Sequence, residues 1–137
     1  MMTGKTCVIT GGTSGIGEAT ALALAERGAD LAIVCRSHER GETTRALIKE
    51  QTGRDCVRLF IADMERLDDM RRVAAELIAA LDKIDVLVNN AGVTMLKRSE
   101  TADGHETTFG VNHLAPSRKS SCRSTSSLLL GSAAMRL

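Results

Sequence analysis

Three glycines near the amino terminus have a spacing that could bind phosphate. Gly11, Gly15 and Gly17 stand in the segment T-G-G-T-S-G-I-G at 10–17, between a β-branched run and a run rich in alanine and leucine. The first glycine would let the chain turn sharply out of a strand, and the second would let backbone approach a pyrophosphate at a helix N-terminus. The third would let that helix pack closely on a sheet. The segment predicts a pyrophosphate-binding turn; an ordinary glycine-rich strand-to-helix turn is the alternative.

An arginine follows the next strand-like run, at the place where the ribose of a dinucleotide would lie. An acidic residue about 20 positions after the glycine turn would accept a hydrogen bond from the ribose 2′-hydroxyl and favour NAD. Cys35 occupies that place instead, and Arg36 comes directly after it. Because a guanidinium donates two parallel hydrogen bonds to phosphate oxygens, Arg36 predicts NADP as the preferred cofactor over NAD. The alternative is that Arg36 is a solvated residue at a strand end.

The elements that would position these residues alternate along the chain. Strand-like runs lie at 5–10, 31–34, 57–62 and 84–88, and helical patterns lie at 15–27, 37–51 and 67–81. Apolar runs without polar alternation are typical of parallel strands buried on both faces. Three strand–helix alternations favour right-handed βαβ units. The predicted fold class is α/β, a Rossmann-like doubly wound parallel sheet truncated after about four strands.

The composition excludes several other functions. The chain has 137 residues, a formal net charge of +1 and no apolar run long enough to span a membrane. The first residues lack the pattern of a signal peptide. We therefore expect a cytoplasmic protein without a nucleic-acid or membrane partner. The four cysteines and three histidines lack the spacing of a zinc site, so no metal is expected.

Two later motifs make a family resemblance visible. Asp63-Met64 follows the third strand-like run, and Asn89-Asn90-Ala91-Gly92 follows the fourth. Together with the glycine segment they resemble the short-chain dehydrogenase/reductase family over about 5–116, and residues 1–116 are predicted to form the NAD(P)-binding Rossmann segment. The residues predicted to bind the dinucleotide are Gly11, Thr13, Ser14, Gly15, Ile16, Gly17, Arg36, Asp63, Met64, Asn90, Ala91 and Gly92.

The resemblance implies particular roles for these motifs. Asp63 would lie beside the adenine ring, with Met64 as its apolar neighbour. Asn90, Ala91 and Gly92 would line the adenine-ribose side and hold the central sheet. Each motif has an alternative: Asp63 could be an acid favoured by a helix N-terminus, and Asn89 and Asn90 could be turn formers.

The segment F-G-V-N-H-L at 109–114 resembles the retinol dehydrogenase-like branch of the family, whose members handle hydrophobic alcohols and carbonyls. The resemblance implies that Asn112 has a supporting catalytic role, because the matching asparagine bends a long helix and holds a water in a proton relay. His113 is interpreted as a packing or surface residue and not as a catalytic one.

The resemblance ends at Ala115-Pro116. The family pattern then continues to a catalytic serine and a Tyr-x-x-x-Lys helix, yet this chain contains no tyrosine. Ser120, Ser121, Ser124 and Ser132 have no strand-like context, and we reject them as catalytic candidates. This Ser/Arg-rich tail is predicted to be divergent and disordered.

These observations predict an NADP-binding segment of a short-chain oxidoreductase that would interconvert an alcohol and a carbonyl, and that is inactive alone. One alternative is a non-catalytic dinucleotide-binding module or a partner of a full-length relative. Another is a non-functional truncated product. Without a fifth strand, the run at 84–88 would be an exposed edge, through which a homo-oligomer could form.

Overall fold

In the computed structural model, residues 1–93, 95–115 and 128–130 are described. Five parallel strands form one sheet in the order β3-β2-β1-β4-β5. The strands are β1 (Thr6–Thr10), β2 (Asp30–Cys35), β3 (Val57–Ile61), β4 (Val86–Val88) and β5 (Leu128–Leu130). The strand order reverses direction between β1 and β4, as in a doubly wound sheet. The predicted α/β, Rossmann-like fold is confirmed.

Helices connect the strands as the sequence pattern predicts. They are α1 (Gly15–Glu26), α2 (His38–Thr52), α3 (Leu67–Ala80) and α4 (Thr107–Phe109), and α4 continues into a π-helical segment, Gly110–Leu114. The hydroxyl of Ser37 caps α2 by accepting a hydrogen bond from the amide of Arg40 at 3.3 Å. Gly53 ends α2 with φ of 69°, a left-handed conformation that costs glycine little.

The core lies on both faces of the sheet, which explains why the strands are apolar without alternation. On one face, Cys7, Ile9, Leu31 and Ile33 pack with Ala21, Ala25 and Ile48 of α1 and α2. On the other face, Val8, Ala32, Val34 and Phe60 pack with Met70, Val73 and Leu77 of α3. Successive residues of β1 and β2 thus contribute to opposite sides of the same sheet.

The prediction that the run at 84–88 is an open edge is wrong. β4 pairs with β1 on one side and with β5 on the other, in the register Val86↔Leu128 to Val88↔Leu130. The backbone groups of β4 are therefore paired on both sides, and the predicted homo-oligomer loses the open edge on which it rested. Three leucines in a row carry no period from which a strand could be predicted. The rest of the predicted disordered tail lies outside the described residues.

No helix in the described part of the chain is long and apolar enough to cross a lipid bilayer.

Candidate functional site

A cleft of about 660 Å³ opens at the carboxyl ends of the strands. It lies where the strand order reverses, which is the usual ligand position in open α/β sheets. The predicted site residues all line it: Gly11, Thr13, Ser14, Gly15, Ile16, Gly17, Arg36, Asp63, Met64, Asn90, Ala91, Gly92 and Asn112. The fold thus brings together residues from most of the described chain, and their roles toward a ligand remain predictions.

Two glycines of the turn are required by close packing. Gly11 has φ of 66°, and its amide donates to the carbonyl oxygen of Val34 at 2.9 Å. A Cβ on Gly11 would lie 3.0 Å from the Cα of Ala91. A Cβ on Gly17 would overlap both the carbonyl oxygen of Gly11 and the side-chain nitrogen of Asn90. The turn is therefore fixed against the segment that follows β4 as well as against its own helix.

The start of α1 presents uncapped amides at the cleft. Ser14, the N-cap residue, is extended, and within the part of the chain that the structure describes its side chain makes no capping hydrogen bond. Gly15 has φ of 52°, and among the described residues no atom outside its chain neighbours and the backbone of its own helix lies within 4 Å of the position a Cβ would take. The first amides of a helix have no partner within the helix, and they carry the positive end of its dipole. This arrangement can bind an anionic group such as a pyrophosphate.

Two arginines line the cleft beyond the end of β2. Arg36 was predicted from the sequence; Arg40, on the first turn of α2, was not, although it stands four residues further along. Among the described residues neither guanidinium forms an ion pair with a carboxylate. Cys35 is 5% exposed, and burial raises the pKa of its thiol, so the thiol stays neutral beside them. The pair of guanidiniums can bind a doubly charged phosphate.

Asp63 lies in the turn before α3 and not in the helix itself. One carboxylate oxygen of Asp63 accepts from the amide of Glu65 at 3.0 Å. The amide of Asp63 donates to Asp69 at 2.9 Å, and this hydrogen bond lowers the pKa of the Asp69 carboxyl. The acids of the first turn of α3 are Asp68 and Asp69, so Asp63 is not the helix N-terminal acid that the sequence offered as an alternative. Among the described residues, its second oxygen has no hydrogen-bond donor.

Asn90 connects the end of β4 to the end of β1. Its side-chain nitrogen donates to the carbonyl oxygens of Thr10 at 3.1 Å and Gly11 at 3.0 Å. The amide of Ala91 donates to the hydroxyl of Thr10 at 3.0 Å. Asn90 is thus a long-range link and not a local turn former. Asn89 is 7% exposed, and its side-chain oxygen has no hydrogen-bond partner among the described residues.

Asn112 holds the helical segment after α4 against the floor of the cleft. Its Oδ1 accepts from the amide of Val93, and its Nδ2 donates to the carbonyl oxygen of Val93, both at 2.8 Å. Asn112 lies within the π-helical segment, which is consistent with the predicted bend. Its share in a proton relay remains a prediction. His113 is exposed and stacks on Phe109 with ring centroids 5.2 Å apart.

No group of three or more histidine, cysteine, aspartate or glutamate side chains in the described part of the chain could hold a metal ion. Cys7, Cys35 and Cys56 are free and buried.

Comparison with known proteins agrees with this geometry. The family model described as short chain dehydrogenase matches residues 5–120. Human retinol dehydrogenase 13 is 40% identical over 111 residues, which are 81% of this chain and 34% of that protein. Mouse retinol dehydrogenase 12 is 43% identical over 111 residues, which are 81% of this chain and 35% of that protein. The chain thus spans about a third of the length of these curated relatives.

Among solved structures, a short-chain dehydrogenase from Sphingobium yanoikuyae in complex with NADPH superposes with a TM-score of 0.74 at 32% identity. The superposition covers 86% of this chain and 46% of that one. From the glycine turn, the cleft and these matches together, the chain belongs to the short-chain dehydrogenase family and resembles its retinol dehydrogenase-like members.

Proposed function

We propose that this chain is an NADP-binding segment of a short-chain oxidoreductase. The observation that carries the proposal is the pair of guanidiniums, Arg36 and Arg40, which line the cleft at the end of β2. Cys35 stands where an acid would repel a phosphate on the ribose. The 2′-phosphate that distinguishes NADP from NAD fits this place by charge and by hydrogen-bond geometry. The NADPH complex of the Sphingobium relative supports the same cofactor.

The other parts of the cofactor follow from the same cleft. The pyrophosphate would accept hydrogen bonds from the first amides of α1, at Gly15 to Gly17, which no described side chain caps. The adenine would lie between the arginines and the turn at Asp63 and Met64, both of which line the cleft. The free carboxylate oxygen of Asp63 can accept a hydrogen bond from the exocyclic amine of the ring.

The proposed reaction is the interconversion of an alcohol and a carbonyl, for which the nicotinamide ring would carry the hydride. The names of the matched retinol dehydrogenases support a hydrophobic alcohol or carbonyl as the substrate class. Reduction of a carbonyl also needs a proton donor at the oxygen. The 137 residues include no tyrosine, the residue to which the family resemblance assigns this task. We therefore propose that this chain alone binds the cofactor without turning over a substrate.

Titration calorimetry of the purified chain with NADPH and with NADH tests the proposal. We expect NADPH to bind about tenfold more tightly than NADH, because the extra phosphate gains charge-assisted hydrogen bonds. R36A should remove most of this preference by weakening NADPH alone. R27A is the matched control. It removes the same charge, and Arg27 is exposed at the opposite end of α1.

The other outcomes separate the remaining possibilities. Equal affinity for the two nucleotides, or an R36A variant that keeps the preference, would contradict the assignment of NADP. Oxidation of NADPH with a retinoid aldehyde, followed by the cofactor's absorbance, would contradict the proposed lack of turnover. A chain that unfolds without cooperativity and binds neither nucleotide would instead be a non-functional product.

A further inference from the structure

One side-chain hydrogen bond joins the first turn of α1 to α2 just behind the proposed phosphate site. The hydroxyl of Thr44 donates to Oε2 of Glu18 at 2.9 Å. Thr44 is 1% exposed, so its hydroxyl has no access to solvent and depends on this acceptor. Glu18 lies in the first turn of α1, directly after the glycine turn. The bond therefore fixes the position of a carboxylate close to the anion-binding end of the cleft.

The same face of α2 presents Arg40. Residues four apart on a helix are neighbours, with Cβ atoms about 5–6 Å apart, so Arg40 and Thr44 lie one above the other. Arg40 lines the cleft, whereas Thr44 meets Glu18 one turn further from it. Within the described residues Glu18 makes no ion pair. Because Arg40 stands one helical turn before Thr44 on α2, we expect a carboxylate released from Thr44 to turn toward the guanidinium of Arg40.

We infer that Thr44 is a positioning residue for cofactor selectivity: it holds the Glu18 carboxylate away from Arg40 and so leaves this guanidinium free for the 2′-phosphate. The inference rests on the proposed binding of NADP at this cleft. Without the hydroxyl, Glu18 pairs with Arg40, and the phosphate has to displace that carboxylate. NADH has no phosphate at this position, so its affinity does not depend on whether Glu18 pairs with Arg40.

A purely structural role for Thr44 makes a different prediction. If the hydroxyl only packs α1 against α2, its loss disturbs the glycine turn and weakens NADPH and NADH by the same factor. The ratio of the two dissociation constants therefore separates positioning from packing, and a melting curve of each variant records the structural cost independently.

The variant T44V removes the hydroxyl and keeps the branched shape. We expect its dissociation constant for NADPH to rise about fivefold, as for the loss of one charge-assisted contact, while that for NADH changes less than about twofold. T43V is the matched control, because among the described residues the hydroxyl of Thr43 bonds only to the carbonyl oxygen of Glu39 in its own helix. T44S, which keeps the hydroxyl, should retain the wild-type ratio.

The double variant T44V with E18Q completes the test. Removal of the Glu18 charge should restore NADPH affinity in the T44V background, because a neutral amide does not compete for Arg40. A parallel loss for both nucleotides in T44V, or no rescue by E18Q, would overturn the inference while leaving NADP binding intact. A wild-type chain that shows no preference for NADPH would instead overturn the proposed function, and with it the basis of this inference.

Discussion

The two sides of the cleft are held in place by different kinds of interaction. The glycine side comprises 6–40, and the asparagine side comprises 86–93 and 95–115. On the glycine side, β1 and β2 pair in parallel over five residues, and Val8 and Ile9 of β1 are fully buried. Gly11 continues this pairing through its amide to Val34. Many small contributions from burial and backbone hydrogen bonds therefore fix the glycine side.

The asparagine side has far less regular structure. β4 is three residues long. In the described chain between β4 and α4, the one β-pairing is an isolated bridge between Glu100 and Glu106. Side chains fix this segment: Asn90 bonds to β1, and Asn112 bonds to both backbone groups of Val93. The carboxylate of Glu106 accepts from the amides at the start of α4, which lowers its pKa.

The asparagine side is therefore expected to be more sensitive to single substitutions than the glycine side. The glycine side is held by many backbone hydrogen bonds and tolerates the loss of one contact. The asparagine side is held by a few side-chain amide groups and does not. Gly17 is the point where the two sides meet, because its missing Cβ leaves room for both the Gly11 carbonyl and Asn90.

The largest expected effect is at this meeting point. G17A should destabilise the fold by about 3 kcal/mol, because the added methyl overlaps backbone that cannot move independently. Chemical denaturation measures the loss. G53A is the matched control: Gly53 has a positive φ but open space around it, so only the backbone cost of about 1 kcal/mol applies. Equal losses in the two variants would contradict the close packing at Gly17.

N90D should be the next most damaging change. It replaces a nitrogen that donates to two carbonyl oxygens by an oxygen that repels both. We expect a loss of about 2 kcal/mol in the free energy of unfolding, from two broken hydrogen bonds. A variant as stable as the wild type would show that the asparagine side is not anchored through this amide.

N112D should have a smaller effect, since it removes one of the two hydrogen bonds between Asn112 and Val93. The carboxylate can still accept from the Val93 amide but cannot donate to the Val93 carbonyl. We expect a loss of about 1 kcal/mol, and faster amide hydrogen exchange confined to the asparagine side. Faster exchange in β1 or β2 as well would contradict the separation of the two sides.

The smallest effect should come from Asp85, which ties the start of β4 to β1 at the end of the sheet far from the cleft. The amide of Thr6 and the ammonium of Lys5 both donate to its carboxylate and lower its pKa from 3.8 to about 2. Because the folded-state pKa is depressed, this carboxylate stabilises the fold above the unfolded-state pKa and loses that contribution as the pH falls toward 2.

D85N should therefore lower the melting temperature slightly near neutral pH, and the difference from the wild type should shrink between pH 4 and pH 2. D82N is the control, as Asp82 is exposed on the same loop. A difference that stays constant across this range would mean that the charge of Asp85 contributes nothing.

Much of the glycine side could be predicted from sequence because its signals are local. The run at 31–34 is apolar throughout, and Ser37 is a typical helix cap; the structure places β2 and the start of α2 there. The glycine spacing predicted a sharp turn at Gly11, where the structure shows a positive φ of 66°. Such features depend on neighbouring residues alone, so no knowledge of the rest of the fold is needed.

The remaining features depend on contacts between distant parts of the chain. The pairing of β5 with β4 joins residues about 40 apart, and the leucines of β5 carry no periodic signal. Arg40 became a candidate only when the helix phase placed it in the cleft. The bonds of Asn112 to Val93 likewise depend on how the chain between them folds back.

Amide hydrogen exchange with and without saturating NADPH tests most directly whether the two sides form one nucleotide site. We predict slower exchange at 15–17 and 36–40 on the glycine side and, in the same experiment, at 90–93 on the asparagine side. Exchange that is unchanged by the nucleotide, or slowed only at residues away from the cleft, would show that the two sides do not form one nucleotide site.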